Sequence, residues 1–227
     1  MPSDRSSSQD PRHGSGAAPL PAFMVRRRAV DDLPGIVALM SRVYPPPHPP
    51  EALWSEGGLR THIERFPEGQ LAAADWDGRI LGDSTGMRIA MEKVLAPHTW
   101  SEITGHGRLG THDPRGDAFY GVDIAVDPAW RGQGVASAIY AMRFQVAREL
   151  GCRAFVAGAR IPGYHQVAER MPPQRYVEEV AAGARKDATL SVQLHLGFQV
   201  VALLPRYFRD FQCLDYGVLI VKNLERP

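Results

Sequence analysis

The sequence predicts an α/β (α+β) fold: a mixed central sheet of about seven strands with helices packed against it. Three observations predict it. Residues 118–126, 135–150 and 155–159 read as strand, helix and strand, a crossover that makes the two strands parallel. Asp77-Gly78 sits between two strand-like runs and makes an antiparallel hairpin, so the sheet is mixed. The 227 residues, 44% of them hydrophobic, suit one domain with a full core.

Residues 1–21 are rich in Ser, Pro and Gly and poor in large apolar side chains, so they are expected to be a disordered tail before a domain at 22–227. Residues 23–30 read as a first strand with Arg26 and Arg28 on a solvated face. Asp31 or Asp32 caps a helix whose buried stripe is Leu33, Ile36, Val37, Met40 and Val43, with Pro34 tolerated in its first turn. The prolines at 45–50 stop that helix, and a second is expected over 51–66, ending before Pro67. The runs 71–76 and 79–91 flank the hairpin. Residues 92–117 are irregular, and an ordered loop of that length in a compact domain points to function.

The strand at 118–126 places Tyr120, Val122, Ile124 and Val126 on one alternating set and Gly121, Asp123 and Ala125 on the other. Pro128 breaks it. After the turn, Val135, Ile139, Met142, Val146 and Leu150 form a helical stripe with Gly151 as its cap. The apolar run 155–159 suits a strand covered on both faces. Residues 160–187 read as a helical insertion opened by Pro172 and Pro173, bearing Tyr176, Val177, Val180 and Ala184. At 188–197, Leu190, Val192, Leu194 and Leu196 alternate as in a strand, whereas Asp187 and Gly197 suit a short helix; the alternation slightly favours the strand. Residues 198–204 and 216–221 are the last strands.

Lys and Arg total 26 against 25 Asp and Glu, so no global field argues for nucleic acid or an anionic membrane. Cys152 and Cys213 offer neither a disulfide framework nor metal-ligand spacing, and the cytoplasm is the expected compartment. No run approaches the roughly 20 apolar residues of a membrane span. The eight histidines lack the paired spacing of a helical metal site, so no metal is expected. There is no Gly-x-Ser-x-Gly elbow and no recognisable Cys nucleophile, which favours transfer in a ternary complex over a covalent enzyme intermediate.

A strand that feeds a glycine-containing turn into a helix N-terminus is an anion site, because unpaired N–H groups converge where the macrodipole favours negative charge. The turn here is RGQGVA, Arg131 to Ala136. It resembles the acyl-CoA pyrophosphate loop of the GNAT N-acetyltransferase superfamily, whose pattern Arg131, Gly134 and Ala136 match. The strand before DDLPGIVALM, the hairpin, the crossover and a late LGFQV fall in that family's order, over roughly residues 23–223. YPPPHP, FPEGQ, THDPRGD, YGVDIAV and AGARIPGYH further resemble a subgroup often joined to a carbon-nitrogen hydrolase domain.

The resemblance implies an acyl-CoA-dependent N-acyltransferase, most simply using acetyl-CoA, acting on a primary amine of a small molecule or peptide. It also implies that the last helix follows the insertion. Gly132, Gln133, Gly134, Val135, Ala136 and Ser137 would hold the pyrophosphate with Arg131. Ile124, Ala125 and Val126 would pair with the pantetheine arm, the Val126 N–H donating to the thioester oxygen, an effect worth about 3 kcal/mol in oxyanion sites. Many relatives form homodimers through the C-terminal strands, which makes a homodimer one candidate assembly, and the subgroup makes a separate carbon-nitrogen hydrolase a candidate partner.

Many relatives protonate the leaving thiolate with a Tyr four residues before the Gly-Phe pair, a place held here by Gln193. That departure keeps a second reading alive, an acyl-CoA-binding regulatory module with weak or no catalysis. Asp123, on a small face of a central strand, is the first candidate base, with Tyr164 and His165 as candidates at the other lip of the cleft. His112, Asp113 and Tyr120 are candidates for the acceptor pocket.

Overall fold

The computed structural model describes residues 22–48 and 53–224. The expected tail at 1–21 lies outside the described residues. Seven strands form one sheet in the order β1-β2-β3-β4-β5-β7-β6: β1 (Phe23–Arg27), β2 (Gln70–Asp75), β3 (Ile80–Ile89), β4 (Ala118–Val126), β5 (Ala154–Arg160), β6 (Gln199–Leu204) and β7 (Gly217–Asn223). All neighbours are antiparallel except β4 and β5, which the crossover makes parallel. The fold is therefore the expected mixed α/β sheet.

Two helical layers cover the first strands. Ala72 and Ala74 of β2 meet α1 (Leu33–Val43) and α2 (Glu56–Arg65), while Ala73 between them meets α5 (Val135–Glu149). Alternating side chains thus put α1 and α2 on one face and α5 on the other. Ser55 caps α2, its Oγ accepting from the Gly58 N–H at 3.2 Å, so that helix is shorter than the expected 51–66. Behind α5 lies an aromatic core in which Phe155 stacks on Phe119 and meets Tyr140, Phe144 and Phe198 edge-on. Burying each such ring contributes roughly 1.5–3 kcal/mol.

Four expectations are corrected. The 92–117 segment carries two short helices, α3 (Met91–Leu95) and α4 (Trp100–Thr104), the second closed by a capping box in which Thr99 and Glu102 satisfy each other's backbone. The insertion holds α6 (Pro173–Ala181) as Pro172 and Pro173 lead one to expect, whereas 188–197 is helical, α7 (Leu190–His195), rather than a strand. Asp187 decides the latter by accepting the N–H groups of Thr189 and Leu190 at 2.9 Å, and Gly197 ends the helix with φ +87°. The first strand stops at Arg27, and Arg28 is no solvated face: it is buried and donates to Asp83 at 2.6 and 2.8 Å. Among the described residues no helix is long and apolar enough to cross a membrane.

Candidate functional site

The site is organised by two distortions of β4. The first is a bulge. Thr85 of β3 faces Asp123 and Gly86 faces Gly121, which leaves Val122 as an extra residue. The bulge changes the parity of the strand. A Cβ on Gly121 would meet Phe155 and Arg143 on the α5 side, whereas the Asp123 carboxylate emerges on the α1–α2 side, accepting from Trp54 Nε1 at 3.2 Å and Tyr44 OH at 3.5 Å.

The second distortion is a splay. β4 and β5 pair only from Ala118–Ala154 to Gly121–Ala157, although β4 continues to Val126 and β5 to Arg160. Since the Asp127 N–H is directed at Leu81 of β3, alternation turns the Ile124 and Val126 N–H groups toward the opened edge. A cavity of about 140 Å³ passes through this opening. Tyr44, Trp54, Trp100, Tyr207 and Asp123 line it on one side, and Tyr140, Arg143 and Gln193 on the other.

The strands lead to the turn. Gly132 and Gly134 have φ of +75° and +85°, a left-handed backbone that favours glycine. A Cβ at either position would meet nothing within 4 Å, so the space above the turn is open. The first ladder bond of α5 runs from the Ala138 N–H to the Gly134 carbonyl at 2.9 Å, which leaves the first-turn N–H groups of Val135, Ala136 and Ser137 without helical partners. Arg131, Gly132, Gln133 and Gly134 are exposed.

Polar groups inside the cavity are held firmly. Asp123 lies deep among its neighbours yet keeps part of its surface on the cavity. Burial pushes its carboxyl above the ordinary range, opposed by the Trp54 bond and the Arg143 charge. Arg143 is buried and donates through Nη2 to the carbonyls of Thr85 at 2.9 Å and Asp123 at 3.0 Å. Its guanidinium also lies 5.4 Å from the Tyr140 ring centre. Gln193 Nε2 donates to the Tyr140 hydroxyl at 2.9 Å, while the buried Gln193 Oε1 has no partner.

Of the sequence candidates, Asp123 and Ile124 line the cavity, whereas Ala125, Val126 and residues 131–137 follow beyond it along β4 and the turn. Tyr120 is fully buried behind the cavity, its hydroxyl 2.8 Å from that of Tyr207 and 3.3 Å from His98 Nε2; it supports a lining residue rather than lining. His112 stacks on Phe66 and accepts from the Arg88 N–H at 3.2 Å. Asp113 closes a turn on the Arg115 N–H. Tyr164 donates to the Met171 carbonyl and His165 bonds the Pro162 carbonyl. None of these four lines the cavity. The residues that sequence reasoning missed, Tyr44, Trp54, Trp100, Tyr140, Arg143, Arg160 and Tyr207, come from separate segments with no shared motif. Among the described residues no group of three or more His, Cys, Asp or Glu could hold a metal ion.

Comparison with known proteins agrees with this geometry. The profile of the Acetyltransferase (GNAT) family matches residues 33–168, from α1 through the turn and the crossover. The chain is 34% identical to the uncharacterized N-acetyltransferase YkwB of Bacillus subtilis, over 88% of each chain. It is 33% identical to the probable hydrolase YhcX of the same organism, over 88% of this chain but only 38% of that protein. Among solved structures it resembles the GNAT-like decarboxylase GphF in complex with isobutyryl-CoA, with a TM-score of 0.75 at 24% identity, covering 89% of this chain and 100% of that one. The splayed crossover, the glycine turn and these matches lead to one conclusion: the chain belongs to the GNAT acetyltransferase family.

Proposed function

We propose that the protein transfers an acyl group, most simply acetyl, from acyl-CoA to a primary amine by direct attack in a ternary complex. The observation that carries this reading is the continuity of the cavity: it runs through the β4–β5 splay, with a buried carboxylate on one side and a phenol on the other. The pyrophosphate lies on the N–H groups of the turn from Gly132 to Ser137, beside Arg131. The pantetheine arm pairs with the opened edge of β4. Because the cavity reaches Ile124 and not Val126, the Ile124 N–H meets the thioester oxygen and the Val126 N–H meets the arm, one step along the strand from the sequence expectation.

The amine nitrogen attacks the thioester carbon, forming the C–N bond as the C–S bond breaks. Asp123, raised by burial toward the range useful for a base, takes the proton that the nitrogen loses. The thiolate needs a proton as well, and Gln193 cannot give one. Tyr140 can. Its oxygen already accepts from Gln193, and Arg143 lies beside its ring, so its own proton is free for the thiolate. Tyr140 thus stands in from α5 for the tyrosine that many relatives carry on the last helix. Release of free thiol from acetyl-CoA, followed across a panel of amines, tests the reading: acceptor-dependent release is expected, and a rate independent of every amine would overturn it.

A second reading is favoured by the similarity to YhcX. The domain would bind acyl-CoA and serve a hydrolase as a regulatory module. It predicts acetyl-CoA affinity without acceptor-dependent thiol release.

A further inference from the structure

We infer that the acyl acceptor carries an anionic group, a carboxylate or a phosphate, remote from its amine, and that Arg108, Arg206 and Arg209 receive it. The inference rests on the amine-acylation reading above and names the substrate class for it. A second concavity, of about 570 Å³, adjoins the reaction cavity and shares Trp54, Trp100, Tyr207 and Phe208 with it. It lies on the side of the sheet from which Asp123 emerges. An acceptor that reaches Asp123 with its amine therefore leaves its remaining atoms in this mouth.

The charge of the mouth is one-sided. Arg108, Arg206 and Arg209 line it together with His106, and no Asp or Glu does. Eight other arginines are matched: Arg26 with Asp32, Arg28 with Asp83, Arg42 and Arg79 with Asp127, Arg153 with Asp117, Arg160 with Asp210, and Arg175 and Arg185 with Glu179. Among the described residues the three mouth arginines have no such partner. Nearby carboxylates are already engaged, Glu102 by Thr99 and Asp210 by Arg160. In a chain that is almost neutral overall, three unmatched guanidinium groups at one concavity form a local field that attracts anions.

The walls are fixed rather than loose. The Trp100 N–H donates to the Tyr207 carbonyl at 2.7 Å, tying α4 to the β6–β7 loop. His106 and Arg206 hold left-handed backbone, φ +58° and +54°, at a cost of about 1 kcal/mol each. Between the arginines and Asp123 stand Trp54, Trp100 and Phe208, so the stretch that joins amine and anion is apolar. The volume lies in the range of small-molecule sites, which favours a small amine over an acidic protein surface.

The test compares amines that differ only at the far end, at saturating acetyl-CoA: a terminal carboxylate against its carboxamide, and a phosphate ester against its free alcohol. The anionic member of at least one pair is expected to have a KM at least tenfold lower, with the advantage shrinking as salt rises. The pair with the larger ratio identifies the anion. Replacing two of the three exposed arginines, Arg206→Gln with Arg209→Gln, should erase the preference while the acetyl-CoA thermal shift persists. Equal KM values in both pairs, or an acidic peptide N-terminus preferred to every small anionic amine, would overturn the inference. Failure of acetyl-CoA to bind at all would instead remove the amine-acylation reading beneath it.

Discussion

The side-chain amide of Gln193 donates to the Tyr140 hydroxyl across 2.9 Å, joining α7 to α5 at the splayed end of β4 and β5. The amide thereby holds a tyrosine at the cavity. Tyr140→Phe keeps the ring among Phe144, Phe155 and Phe198 but removes the proton. It should lower kcat by roughly 100-fold while leaving the Kd for acetyl-CoA within about twofold. Adding Gln193→Tyr to that variant returns a phenol to α7 and should restore part of the rate. Steady-state kinetics with calorimetric titration checks both; an unchanged kcat in Tyr140→Phe removes this residue from the mechanism.

Asp123→Asn preserves the shape of a group held by Trp54 and Tyr44 but cannot take a proton. A loss of roughly 100-fold in kcat/KM is expected. Since burial raises the carboxyl in the folded protein, the wild-type rate should climb with pH through a midpoint above the ordinary carboxylate range. That limb should vanish in the variant, as a pH–rate profile will record.

Gly158→Ala tests the wall that β5 and Tyr207 give the cavity. A Cβ there would overlap the Tyr207 ring, which also rests on Gly217. Tyr207 must then leave its place and its contact with Tyr120. Overpacking of this kind costs about 1–3 kcal/mol. Urea unfolding should register the loss, and the KM for the acceptor should rise more than the Kd for acetyl-CoA.

His62 makes the fold sensitive to acid. It is fully buried, Nε2 lies 2.6 Å from the Gly107 carbonyl and Nδ1 has no partner. Burial lowers its pKa to about 4. The unfolded chain therefore binds the proton more readily, so stability is full above the unfolded value near 6.5 and is lost as pH falls toward about 4, by at most roughly 3 kcal/mol. Denaturant unfolding near pH 7 and near pH 5 should show a smaller difference for His62→Gln than for the wild type.

Local patterns carried much of the fold. The Asp77-Gly78 hairpin, the strand at 118–126 and the Arg131–Ala136 turn are set by neighbours in sequence, and they lie where periodicity and glycine chemistry place them. At 188–197 two local signals competed. Capping by Asp187 prevailed over the Leu190–Leu196 alternation, and Val192, which a buried strand face would cover, is exposed. The cavity was far less legible. The bulge at Val122 reverses the face of Asp123, and no alternation count contains a bulge. Arg143 sits on the buried side of α5, where a hydropathy pattern expects an apolar residue. Its place depends on the carbonyls of Thr85 and Asp123, groups that only the assembled sheet provides.

The central claim, that acyl-CoA occupies the splay and the glycine turn, is tested most directly by titrating acetyl-CoA into the wild type and Gly134→Gln. The Cβ of the added side chain would meet no atom within 4 Å, so the cost to the free variant is chiefly the backbone strain of about 1–2 kcal/mol while the phosphates lose their cradle. Saturable binding by the wild type with at least tenfold weaker binding by the folded variant is the predicted result. Absence of binding to the wild type at saturating acetyl-CoA, or equal affinity in both proteins, would contradict the account.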